Sequence, residues 1–324
     1  MNTMPSIIDR LLSSDEPAIR LKVLLNVLGE DPQSAEVQAA RQAVKTCPRV
    51  QTLLSRRGPD GRLPEHPYSK WTGGHWTLAT LADLGYPPGD ESLLPLVDQE
   101  CEWLFSKEHE KHIRMIQGRV RRCASQEGNA LYAILALGLD SNGRADELAS
   151  RLMRWQWPDG GWNCDKRPGA IHSSFMESLI PLRALSLYAH LTGNAQAAQA
   201  VQRAAEVFLR HHLFKRTSDG GVITEEFIRL HYPPYWHYDI LFGLKVLGEA
   251  GFLHDERCHE ALNLLKSRRL PDDGLPADKA YFRFTEKRTS DQSLVKWGPV
   301  SKIRFNEFVT ADALSVLRQA NDHE

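Results

Sequence analysis

The sequence lacks the features that mark membrane-spanning, secreted, nucleic-acid-binding and mainly β proteins. No apolar run approaches the ~18 residues that cross a bilayer, and early charges in the segment MNTMPSIIDRLLSSDEPAIR interrupt any signal-like apolar core. A net charge of −1 gives no electrostatic reason to expect nucleic acid or an anionic membrane as a partner. Sustained strand-like alternation is also nearly absent. These absences indicate a soluble, mainly helical protein without a general electrostatic attraction to nucleic acid or membranes.

Cysteine is scarce and scattered along the chain. The five cysteines form no CxxC pair, and their number is odd, which argues against a disulfide framework. We therefore expect a cytoplasmic protein whose thiols are free for packing or for metal binding.

Six apolar segments recur along the chain, and most of them close on Leu-Gly or a near equivalent. Asp-Gly turns precede several of them, as in WPDGGW and TSDGGV. Being apolar almost all round, such helices are expected to be buried between other elements. The segments are RLKVLLNVLG (20–29), WTLATLADLG (76–85), NALYAILALG (129–138), ESLIPLRALSL (177–187), DILFGLKVLG (239–248) and VTADALSVL (309–317).

More amphipathic stretches alternate with these segments. Their apolar residues recur at three- and four-residue spacing, which is typical of helices on an outer layer. The alternation predicts an all-α fold, an α/α toroid of about six helix pairs, with residues 1–324 as a single domain. An open helical solenoid has the same sequence pattern and differs only in that its ends do not meet.

One turn carries a family resemblance. The stretch Q-W-P-D-G-G-W (156–162), here named the clasp, resembles the Q-x-x-x-G-x-W repeat of squalene-hopene and oxidosqualene cyclases. Three other turns are degenerate versions, two of them with Arg57 and Arg216 in place of the Gln. The superfamily also includes the β subunits of protein prenyltransferases. The resemblance implies the toroid fold, a structural role for the clasp and a hydrophobic, isoprenoid-like substrate.

The catalytic motifs of those families are not found. No D-x-D-D sequence occurs, and Asp272–Asp273 lies inside a turn of the clasp type. Where prenyltransferase β subunits carry a zinc-binding Asp-x-Cys, the aligned positions are Ile171 and Ser173, although His237 falls within one position of their zinc-binding His. The resemblance therefore implies architecture but not a particular reaction.

Aligning the six segments on their closing Leu gives one column in the first turn of each inner helix, which contains Arg20, Trp76, Asn129, Glu177, Asp239 and Val309. Two neighbouring carboxylates in a partly dry site push their pKa values apart, so Glu177 and Asp239 are candidates for an acid–base pair. The alternative is that both carboxylates cap helix N-termini. Asn129 is a candidate for positioning a substrate.

Cysteine and histidine residues in the loops before the column suggest a metal site. Cys123, Cys164, His172 and His237 come from consecutive wedges, and two thiolates with two imidazoles would form a tetrahedral zinc site. Alternatively, the histidines shuttle protons and the cysteines are small buried hydrophobic residues. Zinc is the one cofactor that the sequence suggests.

Further candidates lie in the same loops. Glu127 is a candidate catalytic or positioning carboxylate, and Arg122 could hold an anion by bidentate contacts. The aromatic residues Trp76, Tyr235 and Trp236 could line a ligand pocket or pack the rim.

The sequence therefore favours a toroidal enzyme that uses rim carboxylates on a small molecule in its central cavity. Two alternatives stay open: a glycan-processing α/α-barrel enzyme, and a non-catalytic ligand-binding or protein-interaction scaffold that has the ring without the chemistry.

Overall fold

A computed structural model describes residues 5–321, in which two layers of helices form a ring. The inner layer comprises α2 (Pro17–Lys22, continued by a π-helical turn Val23–Leu28), α5 (Gly74–Leu84), α8 (Ala124–Ala136), α10 (Phe175–Thr192), α12 (Ile240–Glu249) and α14 (Glu307–Asn321). The outer layer comprises α1 (Ile7–Leu12), α3 (Ala35–Thr46), α6 (Leu94–Leu104), α9 (Arg144–Trp155), α11 (Ala195–Leu209) and α13 (His259–Ser267).

Shorter elements lie in the connections between these helices. They are the helices α4 (Pro48–Leu54) and α7 (Lys107–Glu110), the antiparallel hairpin β1 (Arg114–Ile116) and β2 (Arg119–Arg121), and the parallel pair β3 (Arg283–Phe284) and β4 (Gln292–Ser293). Within residues 5–321, no helix combines the length and apolar character needed to cross a membrane.

The inner layer closes on itself. Each of α5, α8, α10, α12 and α14 packs against the next, and α14 packs back against α2. Lys22 of α2 pairs with Asp83 of α5 at 3.2 Å, which completes the circuit. The predicted α/α toroid is therefore confirmed, and the open solenoid is excluded. Gly128 permits the tight α8–α10 contact, because a Cβ there would lie 2.9 Å from the Pro181 nitrogen.

The clasp joins α9 to α11 and α10. The Gln156 amide donates hydrogen bonds to the carbonyls of Gly160 and Ala200, at 2.7 and 2.8 Å. Asp159 accepts hydrogen bonds from the backbone and hydroxyl of Ser173, both at 2.7 Å. Gly160 has a φ of +106°, and a Cβ there would lie 2.1 Å from a backbone oxygen of α11, so no other residue fits. The clasp thus fixes adjacent helix pairs.

The centre of the ring is occupied by buried charges, here named the central ion network. It consists of Lys22, Asp83, Arg183, Lys245, Glu249 and Asp312. Lys22 and Lys245 each bridge Asp83 and Asp312 at 2.8–3.2 Å. Arg183 binds Glu249 at 2.6 Å and lies 3.5 Å from Asp83. The network thereby links five of the six inner helices.

Electrostatics hold this network in its charged state. Burial would raise the pKa of Asp83, but Lys22, Lys245 and Arg183 outweigh it and hold that pKa well below its usual range. The Tyr232 hydroxyl donates a further hydrogen bond to Asp83 at 2.9 Å. All the charges are therefore compensated inside the ring.

The loop from Tyr232 to Tyr235 fills the space above the central ion network. Beside it, Asp83 and Asn129 line a cavity of only about 30 Å³, which is roughly the volume of one water molecule. This side of the ring centre is therefore filled, because a loop and an ion network occupy it. A larger cleft of about 820 Å³ opens near the C-terminal ends of α8, α10 and α12, with Arg183 and Glu249 among its lining residues. The predicted cysteines and carboxylates lie at the other end, in the loops at the mouth of the ring where the inner helices begin, and these loops form the candidate site.

Candidate functional site at the ring mouth

Two loops that are distant in sequence are joined at the mouth. The residue that follows strand β2, Arg122, donates its backbone N–H to the carbonyl of Asn163 at 3.3 Å, and Arg121 forms a bridge with the same asparagine. Since Cys123 and Cys164 directly follow these paired residues, the backbone contact places the two thiols next to each other.

Cys123, Cys164 and Glu177 form a compact cluster, here named the thiol–carboxylate cluster. One potential ligand atom from each residue lies within 4.8 Å of the other two. The Cys164 thiol donates to Glu177 Oε1 at 3.7 Å. Both thiols are half-buried, whereas Glu177 is only 2% exposed. The carboxylate of the cluster is therefore buried, whereas its two thiols are partly accessible to solvent.

The Glu177 carboxylate is fixed by two donors from other elements. It lies in the first turn of α10, and its Oε2 accepts the backbone N–H of Ser125 at 3.1 Å, at the start of α8. Its Oε1 accepts the indole N–H of Trp236 at 3.2 Å. Because the two donors hold both oxygens in place, the Glu177 carboxylate is oriented toward the thiols.

The two thiols of the cluster differ in acidity. A hydrogen bond between them raises the pKa of the Cys123 thiol, and burial raises it further. The same hydrogen bond lowers the pKa of the Cys164 thiol. Cys164 is therefore the more acidic thiol of the pair. Its thiolate forms more readily, and the thiolate is the form that attacks an electrophile or binds a metal ion.

Tyr68 and Gln126 lie next to the cluster. Burial raises the pKa of Tyr68, whose hydroxyl contacts the Gln126 side chain and whose surroundings include Glu177 and both thiols. The Gln126 carbonyl oxygen is buried without a hydrogen-bond partner among the described residues. A protonated phenol and an unpaired amide oxygen thus stand beside the two thiols.

Arg122 and Glu127 lie behind the cluster and bind one another. Arg122 donates to Glu127 Oε1 at 3.0 and 2.5 Å and also to the ring of His109. Burial raises the pKa of Glu127 even though Arg122 opposes that rise. Burial and Arg122 together lower the pKa of His109 to about 3. These three residues support the start of α8, and Arg122 is not free to hold an external anion.

The partners of Asp239 lie in α12 and in the loop that precedes it. It caps α12, because Oδ1 accepts the Phe242 N–H at 2.8 Å, while Oδ2 accepts the His231 N–H at 2.9 Å and lies 2.8 Å from the His231 ring. Both oxygens of Asp239 are thus occupied, and Glu177 has other partners. The structure does not bring the two predicted carboxylates together as an acid–base pair.

The two histidines of the predicted zinc set lie apart from the thiols. His172 is exposed, and its backbone carbonyl accepts the Asn163 amide. His237 stacks on Tyr281 with ring centroids 3.4 Å apart, burial lowers its pKa to about 3, and its Nδ1 is buried without a partner in the described chain. Of the four predicted ligands, the structure brings together Cys123 and Cys164.

The remaining candidates pack around the aromatic rim. Asn129 lies 3.3 Å from the ring of His75, on the side facing the small central cavity. Trp76 and Tyr235 are buried against Trp71, which stacks on Tyr235 with centroids 4.1 Å apart. This aromatic group forms one wall of the mouth.

Sequence reasoning did not assign Glu177 to the metal ligands and did not single out Gln126. The sequence does contain a signal that Glu177 lies near Cys164, because Glu177 is in the first turn of α10 and the loop that carries Cys164 leads directly into that helix. The central ion network was also missed. Its signal is a charge in the middle of an otherwise apolar inner segment, as at Lys22, Asp83 and Lys245.

No protein-family model and no curated protein sequence matches the chain. Solved structures that resemble it include the α-1,6-mannanase GH76A from Salegentibacter sp. HEL1_6, with a TM-score of 0.47, 11% identity and coverage of 95% of this chain and 89% of that one. The unsaturated glucuronyl hydrolase from Bacillus sp. GL1 has a TM-score of 0.46, 14% identity and coverages of 95% and 85%. The type II terpene cyclase MstE from Scytonema has a TM-score of 0.28, 14% identity and coverages of 84% and 94%. At these identities the likeness does not extend to substrate or chemistry.

Proposed function

We propose that the protein is a zinc-dependent enzyme that acts on a small molecule at the mouth of the toroid. The observation that carries this proposal is the thiol–carboxylate cluster: two thiols and a carboxylate from separate segments, gathered within 4.8 Å. Thiolate and carboxylate ligands in a compact set suit Zn²⁺. Three protein ligands with one open position are typical of a catalytic site, whereas structural zinc sites have four.

The spacing within the cluster fits a tetrahedral ion. Zn–S bonds of about 2.3 Å and Zn–O bonds of about 2.0 Å place S and O roughly 3.5 Å apart, and Cys164 Sγ lies 3.7 Å from Glu177 Oε1. Ser125 and Trp236 hold the carboxylate from behind, as outer-shell partners of a metal ligand do. The residues therefore need little rearrangement to take up the ion.

Each group at the mouth has a distinct chemical task. When bound, Zn²⁺ supplies Lewis acidity and lowers the pKa of a coordinated water to about 7. Cys123, Cys164 and Glu177 would hold the ion, and the Tyr68 hydroxyl beside them, which burial keeps protonated, would donate a hydrogen bond to a leaving group. This assignment replaces the predicted rim-carboxylate mechanism, because Asp239 is occupied as a helix cap.

The aromatic wall suits an apolar part of the substrate. Trp71, Tyr235 and Trp236 lie side by side, and Trp236 touches Glu177 directly. A flat apolar or isoprenoid-like group packed there would place its polar end at the cluster.

Metal analysis tests the proposal. Protein purified under reducing conditions without chelators is expected to hold one zinc per chain by mass spectrometry of the elements. Cys123→Ser, Cys164→Ser and Glu177→Gln should each lose most of it. Replacing zinc by cobalt should give a sulfur-to-metal absorption band that is mostly lost in either cysteine variant.

Cys258→Ala is the matched control, because Cys258 is a buried thiol of the outer layer that contacts none of the ligands. It should retain full zinc. A metal-free wild-type protein, or full zinc in both serine variants, would contradict the proposal. A disulfide between Cys123 and Cys164 in freshly isolated protein would instead identify a redox pair.

The filled space beneath the mouth favours one alternative, a non-catalytic binding scaffold. The central ion network and the loop over it leave a cavity of only about 30 Å³ beside Asp83 and Asn129. This alternative predicts that the wild type binds no zinc and that the serine variants are as stable as the wild type. The metal analysis therefore separates the two functions.

A further inference from the structure

A second cleft of about 460 Å³ opens between the loop of residues 65–72 and the loop of residues 285–292. The two loops are tied together, because the Trp71 backbone N–H donates to the Gln292 carbonyl at 3.1 Å and its indole donates to the Tyr281 carbonyl at 2.7 Å. These hydrogen bonds hold the two sides of the cleft together at the mouth.

The cleft carries two positive charges that have no acidic partner. Within residues 5–321, no carboxylate lies within ion-pair distance of Lys70 or Arg288. The Lys70 ammonium only faces the Trp71 and Trp236 rings, at 5.4 and 5.1 Å. The one carboxylate in the lining, Glu65, pairs through Oε1 with Arg56 outside the cleft, while its Oε2 is buried without a partner among the described residues. The cleft therefore has two unpaired cations against one carboxylate that Arg56 already neutralises. Uncompensated cations around one concave space attract an anion.

Hydroxyl groups complete the lining. Ser69, Thr72, Thr289 and Ser290 all face the cleft, and the Thr289 hydroxyl oxygen is buried without a hydrogen-bond partner among the described residues. Two cations and four hydroxyl donors exceed what the two oxygens of a carboxylate accept. They match the three oxygens and nearly two charges of a phosphate monoester.

We infer that this cleft binds the phosphate group of the substrate, an inference that rests on the proposed function for the position of the reacting end. Lys70 joins the two sites, because its ammonium lies over the Trp236 ring and that indole donates to Glu177. A phosphate held by Lys70 and Arg288 leaves the rest of the molecule to cross the Trp236 face toward the thiol–carboxylate cluster. The substrate class is therefore a small phosphate monoester.

Calorimetric titration of inorganic phosphate into the protein as purified tests this inference. Wild type should bind phosphate, and Arg288→Gln should bind it about tenfold or more weakly, as expected for one charge-assisted hydrogen bond. Arg288 is exposed and forms no ion pair within residues 5–321, so its replacement should leave the fold intact. Lys287→Gln removes the same charge from the adjacent exposed position, which does not line the cleft, and should leave binding unchanged.

Acetate is the second ligand in the titration. Acetate that binds as tightly as phosphate would overturn the phosphate assignment. Equal phosphate affinity in wild type and Arg288→Gln, or equal weakening by Lys287→Gln, would overturn the site. Zinc is measured in the same samples. Phosphate binding without zinc contradicts the proposed function alone, whereas zinc without phosphate binding contradicts the cleft alone.

Discussion

The centre and the mouth of the ring both bury charged and polar groups, but only the centre satisfies all of its carboxylates. Both oxygens of Asp83 and both oxygens of Asp312 accept hydrogen bonds from cations. At the mouth, by contrast, buried atoms of Gln126, Glu127 and His237 have no partner within the described chain.

This difference separates architecture from function. A fully satisfied polar network rigidifies a fold, and its parts are worth more together than apart. Unpaired buried groups have a cost, and a ligand that pairs with them recovers it. The centre therefore stabilises the closed ring. A metal ion and a substrate are expected at the mouth.

The largest expected effect comes from breaking the centre. Asp83→Asn removes the charge that faces Lys22, Lys245 and Arg183, leaving buried cations uncompensated. We expect a loss of about 3–5 kcal/mol in the free energy of unfolding, measured by urea denaturation. The zinc content of the protein that remains folded should not change.

Glu102→Gln is the control for this change, since it breaks the exposed pair with Arg62. Exposed pairs contribute little, so its unfolding midpoint should stay close to that of the wild type. If Asp83→Asn were as stable as Glu102→Gln, the distinction between centre and mouth would fail.

A smaller effect is expected at the mouth. Trp236→Phe removes the indole donor to Glu177 and keeps an aromatic ring in the wall. Loss of an outer-shell partner typically weakens metal affinity 10–100-fold, which competition with a chromophoric chelator would measure. Unfolding without metal should change far less than in Asp83→Asn.

Trp155→Phe provides the comparison for this variant, because Trp155 lies at the end of α9 in the outer layer. It should leave metal affinity unaltered. An equal loss of affinity in both variants would show that the effect is not specific to the Glu177 contact.

The fold could be predicted because its signal is local. Each inner helix is apolar nearly all round, each outer helix is amphipathic, and the clasp marks one junction between them, so a window of ten to twenty residues reveals each element. Closure of the ring follows from six such pairs, although contact between α14 and α2 joins the two ends of the described chain and no local pattern shows it.

The site was harder to predict because its geometry depends on where each helix begins. Alignment on the closing Leu put Glu177 and Asp239 in one column, as if the inner helices were equally long. In the structure α10 begins at Phe175, two residues before Glu177, so that carboxylate points across to α8. Helix α12 begins after Asp239, which therefore caps it. The meeting of Cys123 and Cys164 likewise depends on a contact between distant loops.

The smallest expected effect concerns pH and the cap of α12. Burial alone would lower the pKa of His231, but Asp239 outweighs it, so the folded-state pKa lies above the ordinary value of about 6.5. The folded protein then holds a proton more tightly than the unfolded chain does. This stabilisation is fully present below pH ~6.5 and is lost as the pH rises through the folded-state pKa.

Unfolding by urea across this range measures the slope. His231→Gln should abolish that decline in the free energy of unfolding, whereas His172→Gln should retain it, because His172 is exposed. A decline of the same size in His231→Gln would assign it to another group. Because the His231–Asp239 pair has both of its side chains 1% exposed, added salt should not remove the decline. Persistence in salt would show that Asp239 belongs with the satisfied charges of the centre, although it lies at the mouth.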